Sequence, residues 1–356
     1  MSKKGETEML LTFLVGNGFD ISVGMRTSYR DFYTWYCNQP SENSYVANLK
    51  TDILFNLDNW SDFELGLGKY TSHFCEGEIN NFYLIYEDAR NKIIEYLKLE
   101  MKKFKHFYVS EEKIKVDMQN FLNQLPSRII KILDFLIINN NKTDSEVQFV
   151  SFNYTTLLDR FVESLSRHNL REISYKQENA TCFYRLKVNP KVIHIHGTLD
   201  NNPILGVGHR SQISNQQLLS TQYFETLMVK SKTINALDES WYIDVYEKID
   251  KSDVIFIFGM SLGDSDKLWW NTLYSWLRLR NDRHLIIYWY DSKLKNSNSI
   301  LEILKRKNNI KDKFFSFSTN KLSESVDIYE RVHIIFNTSC IFNVNLNSEK
   351  KELSPV

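Results

Sequence analysis

The chain has 356 residues, long enough to bury a sizeable core in one large domain or two ordinary ones. Its 44 lysines and arginines balance 44 aspartates and glutamates, so no overall charge draws it to nucleic acid or to an anionic membrane. A hydrophobic fraction of 42% excludes a disordered chain, and no apolar run approaches the roughly 20 residues of a membrane span.

The opening Met1-Ser2-Lys3-Lys4-Gly5-Glu6 is polar and does not read as a secretory leader. Next comes Met9 to Asp20, an apolar run that breaks at Gly16-Asn17-Gly18. Such a run predicts a strand buried on both faces, as in a parallel sheet. Tyr29 to Tyr36 predicts a helix, with Ser28 and Asp31 spaced as a capping box. Ser41 to Asp52 is polar and poorly patterned. Trp60 to Glu64 opens another helix, with Ser61 and Glu64 again at capping-box spacing. From Asn80 to about Phe107 apolar residues recur at helical spacing, and the basic run Lys98 to Lys105 reads as a solvated helix end. Glu111–Leu122 and Pro126–Ile138 are further predicted helices, followed by a turn at Asn139–Lys142.

The second core strand is Val147–Phe152, ending at Asn153. The third is Lys191–Ile195, ending at His196-Gly197, with a short edge strand expected at Pro203–Val207. Gln216–Lys230 and Ile234–Ile249 read as helices. The fourth strand, Asp253–Phe258, runs into Gly259-Met260-Ser261-Leu262-Gly263-Asp264-Ser265-Asp266, and a helix follows over Lys267–Leu279. His284–Tyr290 is the fifth strand, Ser299–Lys307 a helix and Val332–Phe336 the last strand; from Ser348 the chain is charged and expected to fray. This order, a strand, a helical block and then βα units, predicts a Rossmann-like parallel sheet with helices on both faces. Residues 1–30 and 147–347 form its core, residues 31–146 an inserted helical subdomain and residues 348–356 a tail.

Polar motifs fall at strand carboxyl ends four times, where α/β folds bind ligands. Gly16-Asn17-Gly18-Phe19-Asp20 lacks the third glycine of a dinucleotide fingerprint, Ile21 standing in its place, so it is no dehydrogenase signature. It is a strand-to-helix turn, or a ligand loop whose amides cradle a pyrophosphate. Asn153 either caps the following helix or orients a ribose hydroxyl or a water. His194 and His196 point to one side of their strand; two histidines make a poor metal site without further ligands. His196, last in the strand, suits a general base, and His194 a hydrogen-bonded core residue. Asp264 and Asp266 either stabilise the next helix through its dipole or accept from ribose hydroxyls. Cys37, Cys75, Cys182 and Cys340 are scattered with no CxxC pair, as expected of free thiols in a reducing cytoplasm.

Taken together, Gly16-Asn17-Gly18-Phe19-Asp20 with Thr27-Ser28-Tyr29, Trp60 to Glu64 and Gly259 to Asp266 resemble the bacteriophage abortive-infection AbiH family over nearly the whole chain. That resemblance implies a cytoplasmic bacterial protein that limits phage propagation by harming the infected cell, with a phage component as a trigger. The order glycine loop, Asn153, His196-Gly197, then Gly259-Met260-Ser261-Leu262 is more distantly similar to SIR2-like, sirtuin-type NAD-binding domains. This implies Asn153 and His196 as a catalytic pair, with Gly16, Gly18, Gly259, Ser261 and Leu262 on the cofactor; Asn17 stands where sirtuins carry alanine. Asn17, Asp20, Asp264 and Asp266 are further candidate substrate contacts. The four-cysteine zinc module of deacetylating sirtuins is absent, which favours the NAD+-destroying defence relatives. The expected activity is NAD+ glycohydrolysis, with NAD+ as substrate, no prosthetic group and no metal. The expectation also has four distant segments closing on one dinucleotide. A non-catalytic nucleotide sensor acting through a partner is the alternative, then a metal-dependent nuclease; a homo-oligomer is left open.

Overall fold

A computed structural model describes residues 8–105, 125–139, 144–167, 172–175, 184–237, 241–294, 299–317 and 326–336. Among these lies a sheet of seven strands: β1 (Glu8–Val15), β2 (Asp144–Ser151), β3 (Glu172–Tyr175), β4 (Tyr184–His194), β5 (Val254–Phe258), β6 (His284–Trp289) and β7 (Val332–Phe336). Their order is β3-β4-β2-β1-β5-β6-β7. Six strands are parallel, and β3 adds to β4 as an antiparallel edge that the sequence pattern did not reveal. Apart from β3, the chain runs outward from β1 to β2 and β4, then returns to β5 on the other side and continues to β6 and β7. That is the doubly wound arrangement, and the fold is Rossmann-like.

Both faces of the sheet are buried because its side chains alternate between two cores. Met9, Leu11, Phe13 and Val15 of β1 face one apolar cluster, while Leu14 belongs to the other. β5 splits likewise, Val254 and Phe256 against Ile255 and Ile257. On the first face Phe13 pairs in register with Phe149 and Phe256, their rings stacked at centroid distances of 5.4 and 4.6 Å. This aromatic row spans the three central strands and fixes their register, since a one-residue slip would turn every ring to the opposite face. The helices Tyr29–Tyr36, Ser44–Phe55, Phe63–Tyr70, Ile79–Lys103 and Ser127–Asn139 share this first cluster with the sheet. The second face is covered by Trp241–Lys251, Lys267–Leu279 and Ile300–Ser316.

Several local expectations change. The polar stretch after residue 41 holds a helix, Ser44–Phe55, capped by Asn43, whose carboxamide oxygen accepts from the amides of Tyr45 and Val46. Its apolar signal is thin: Val46, Leu49 and Ile53 are buried with Lys50, and Tyr45 packs partly against the core. Ser28 caps its helix as expected, accepting from the Asp31 amide at 3.2 Å. At the Phe63 helix the cap is Asp62, not the Ser61–Glu64 box. The helix expected over Gln216–Lys230 is broken: Tyr223 is left-handed at φ 67°, and Val229 is extended. Val229 breaks it because it bridges Val207, whose amide donates to Met228 O while Lys230 donates back to Val207 O. Of the edge strand expected at Pro203–Val207, this bridge is what forms. The expected helix Ile234–Ile249 is divided between Lys230–Ala236 and Trp241–Lys251. The helix expected at Glu111–Leu122 and the tail from Ser348 lie outside the described residues.

Truncating Phe13 to alanine removes the central ring of a fully buried row. It should cost about 3–5 kcal/mol, read as a shift in the midpoint of urea unfolding.

Candidate functional site

β1 ends in Gly16-Asn17-Gly18, and the loop after β5 begins at Gly259 with φ 69°. These backbones touch. Gly16 N donates to Phe258 O at 2.9 Å, Gly18 N to Gly259 O at 2.8 Å and Phe19 N to Gly16 O at 2.9 Å. A Cβ on Gly18 would lie 2.4 Å from the Gly259 Cα, and one on Gly259 would lie 2.7 Å from Phe19 N. The glycines therefore serve close packing of two loops at the point where the strand order reverses. The amides expected to cradle a pyrophosphate are taken up inside the fold at Gly16 and Gly18. Asn17 is likewise engaged: its carboxamide donates to Thr27 O at 2.7 Å and accepts from the Thr27 hydroxyl.

Beside this contact, at the carboxyl ends of β1 and β2, lies a cavity of about 130 Å³. Asn17, Asp20, Asn153 and Thr155 contribute its polar groups, and Tyr29, Phe32, Tyr96, Phe152 and Tyr154 supply aromatic walls. Phe32 and Tyr96 come from the inserted helices, so the insert roofs the strand tips. Asn153 follows β2 directly and is buried, and its carboxamide donates to Gly16 O at 3.2 Å, tying the two tips together. It caps no helix; the next one starts at Leu157.

Asp20 is 1% exposed. Its Oδ2 accepts from the Thr155 hydroxyl at 2.6 Å, and its Oδ1 is buried without a hydrogen-bond partner. Burial pushes this carboxyl up to about 7, against the pull of Thr155, the nearby Asn153 carboxamide and His194. His194 backs the same loop, with Nδ1 3.0 Å from Asn153 O and Nε2 2.8 Å from Asp159 Oδ2. Both neighbours are acceptors, so the ring fits best as an imidazolium donating twice. Burial lowers its pKa, but Asp159 and the Asn153 carbonyl outweigh that and raise it above the usual histidine value.

A second polar cluster lies behind Tyr154. Lys230 Nζ stands 2.6 Å from Glu64 Oε2 and 3.5 Å from Asp266 Oδ1, and His196 Nε2 stands 3.6 Å from Asp266 Oδ1. Glu64 Oε1 accepts from Gly206 N at 3.2 Å; the Tyr154 hydroxyl lies 3.2 Å from Oε1 and 2.7 Å from Ile204 O, its shorter acceptor. Burial would lower the Lys230 ammonium, yet Glu64 and Asp266 hold it above the ordinary lysine range. Burial pushes Glu64 up to about 7 against the Lys230 charge, and it raises Asp266 likewise. His196 is driven well below its usual value, first by burial and then by Lys230, so it is a neutral imidazole. The bridge at Val229 brings Lys230 here, and no local pattern in the sequence marks it.

The candidate residues are thus brought together in part. Asn17, Asp20 and Asn153 share the cavity; Gly16, Gly18 and Gly259 do not line it and pack against one another instead. His196 and Asp266 belong to the second cluster, with the rings of Phe152 and Tyr154 5.7 and 6.4 Å from the His196 ring. Ser261 and Asp264 are exposed, and Leu262 is buried with φ 51°. The cavity is lined from the β1 and β2 segments, and His196 and Ser261 are not among its lining residues; between the β1 and β5 tips the glycine backbones pack directly. Neither Asp264 nor Asp266 caps the Lys267 helix through its side chain. The sequence pattern assigned no part in the site to Thr155, Tyr29, Tyr96 or Lys230; Tyr29 stood in the Thr27-Ser28-Tyr29 motif and Thr155 two residues beyond Asn153.

Strand order and the roofing helices define a Rossmann-like α/β protein with a helical insert over its strand tips. The family model for bacteriophage abortive infection AbiH matches residues 12–289, and the chain belongs to that family. Its function is in phage abortive infection. No curated protein shows significant similarity to the chain. No helix among the described residues is long and apolar enough to cross a membrane.

Two outcomes follow from these pairs. Because the folded pKa of His194 is raised, its stabilising effect is complete below the unfolded value of about 6.5 and is lost as pH rises through the folded value. His194→Asn should therefore cost stability at pH 6 and progressively less at higher pH, measured as the difference in thermal midpoint from the parent. Lys230→Met, which leaves Glu64 buried without its cation, should cost about 3–5 kcal/mol. The double variant Lys230→Met/Glu64→Gln should recover much of that loss in the same denaturant titration.

Proposed function

We propose that this abortive-infection protein is an NAD+ glycohydrolase that releases nicotinamide and ADP-ribose in infected bacteria, with a phage component as its trigger. The observation that carries the reading is the cavity at the carboxyl ends of β1 and β2, which gathers Asn17, Asp20 and Asn153 under an aromatic roof. Ligands of open α/β sheets bind outside the carboxyl ends of strands near the reversal of strand order. A cavity of about 130 Å³ suits one ring or one sugar of the dinucleotide, the remainder lying outside it. The order of motifs along the chain, similar to that of SIR2-like proteins, supports the same reading.

The chemistry required is modest. Nicotinamide is bound to ribose as a pyridinium and leaves as a neutral ring, so its departure needs no general acid. The site has to hold the ribose, stabilise positive charge developing near C1′ and deliver a water, as in other glycosyl transfers. Asn153, with donor and acceptor in one planar group, is suited to orient that water or a ribose hydroxyl.

The test measures NAD+, nicotinamide and ADP-ribose in bacteria expressing the protein, before and after phage infection, and in purified protein given NAD+. NAD+ should fall and nicotinamide rise on infection, and Asn153→Ala should slow release by about 10²–10³. Binding of NAD+ with no release in either setting would replace the hydrolase with a nucleotide sensor. Unchanged NAD+ together with no binding would overturn both readings.

A further inference from the structure

We infer that Asp20 is the general base of the cavity, the group that takes the proton from the attacking water. The inference rests on the hydrolase reading above and departs from the sequence expectation that His196 holds this role. A base has to reach the proton it removes. Asp20 lines the cavity, whereas His196 does not. The rings of Phe152 and Tyr154 neighbour His196, and its Nε2 faces Asp266.

The carboxylate is also prepared for the task. Thr155 holds Oδ2 at 2.6 Å, which fixes the carboxylate orientation. Oδ1 is left buried with no hydrogen bond of its own, the Asn153 carboxamide lying near the same carboxyl. A buried carboxylate oxygen without a hydrogen bond is costly, and a bound water or hydroxyl would supply the missing donor. The other titratable groups around the cavity are the phenols of Tyr29, Tyr96 and Tyr154, all pushed up by burial, and His194, paired to Asp159 behind the loop. None of them is a free base near neutrality. Burial places the Asp20 carboxyl at about 7, within the range where a base is effective in the cell.

The step balances. The water oxygen bonds to ribose C1′ as the C1′–N bond breaks, and that electron pair leaves with nicotinamide. The proton shed by the water goes to Asp20 Oδ1 and then to solvent. The products are nicotinamide, ADP-ribose and one proton.

The experiment compares wild type, Asp20→Asn and His196→Ala for nicotinamide release from NAD+ across pH 5 to 9, each checked for folding by thermal melting. Wild-type kcat should rise with pH through an apparent pKa near 7. Asp20→Asn should lower kcat by about 10²–10⁴, leave KM for NAD+ little changed and abolish the acid limb. His196→Ala should keep the limb. Asp20→Asn should melt no lower than wild type above pH 7, where the parent has to ionise a buried carboxyl and the variant does not. Wild-type kcat in Asp20→Asn, or an acid limb that disappears with His196→Ala instead, would overturn the assignment. Absence of nicotinamide release by the wild type itself would instead remove the hydrolase reading on which it rests.

Discussion

The contact of Gly16 and Gly18 with Gly259 is the constraint on which the site depends. Two chain reversals, one after β1 and one after β5, meet backbone to backbone at Gly18 and Gly259, with the Met260 side chain packed at Gly16. The amides of Gly16 and Gly18 bond across that contact to carbonyls of the β5 end. In many doubly wound proteins the space at the reversal of strand order is where a ligand lies. Here it is filled by backbone, and the cavity is displaced toward β1 and β2. The same contact presents Gly16 O to the Asn153 carboxamide, so packing at one loop orients a polar group on the next.

Charge burial is the second organising theme. Glu64 belongs to the inserted helices, Lys230 to the segment held by the Val207 bridge, and Asp266 to the loop after β5. An ion pair this deep is weak evidence for net stability, because desolvating its members is costly. Its geometric effect is plainer. Glu64 lies 3.2 Å from the hydroxyl of Tyr154, a residue that lines the cavity, so the cluster abuts the cavity wall. Asp20 has no ammonium beside it; burial pushes its carboxyl up to about 7 against the pull of Thr155, Asn153 and His194. Two buried carboxyl groups with similar pKa values thus stand in unlike surroundings: one tied to an ammonium and a backbone amide, the other held by a hydroxyl and beside open space.

The strands were legible wherever burial on both faces imposed a continuous apolar run, as at Leu11 to Val15 and Val254 to Phe258. Such runs report on burial directly, because a sheet covered on both sides has no polar alternation. β3 left no such trace: it is a short edge strand, Glu172–Tyr175. Asn153 was legible because a carboxamide directly after a buried strand stands out locally. The role of Asp266 was not, since a carboxylate before a helix looks the same whether it caps that helix or turns to a lysine 36 positions away.

The sequence by itself determined the class of fold, the approximate position of six parallel strands, the family and the loops that end near the site. Those features are local, carried by periodicity, glycine turns and short motifs. Tertiary structure alone decided that the glycine amides are occupied, that His196 stands outside the cavity and that Lys230 meets Glu64. Each of these depends on segments distant in sequence meeting in space, and no window of neighbouring residues holds that information.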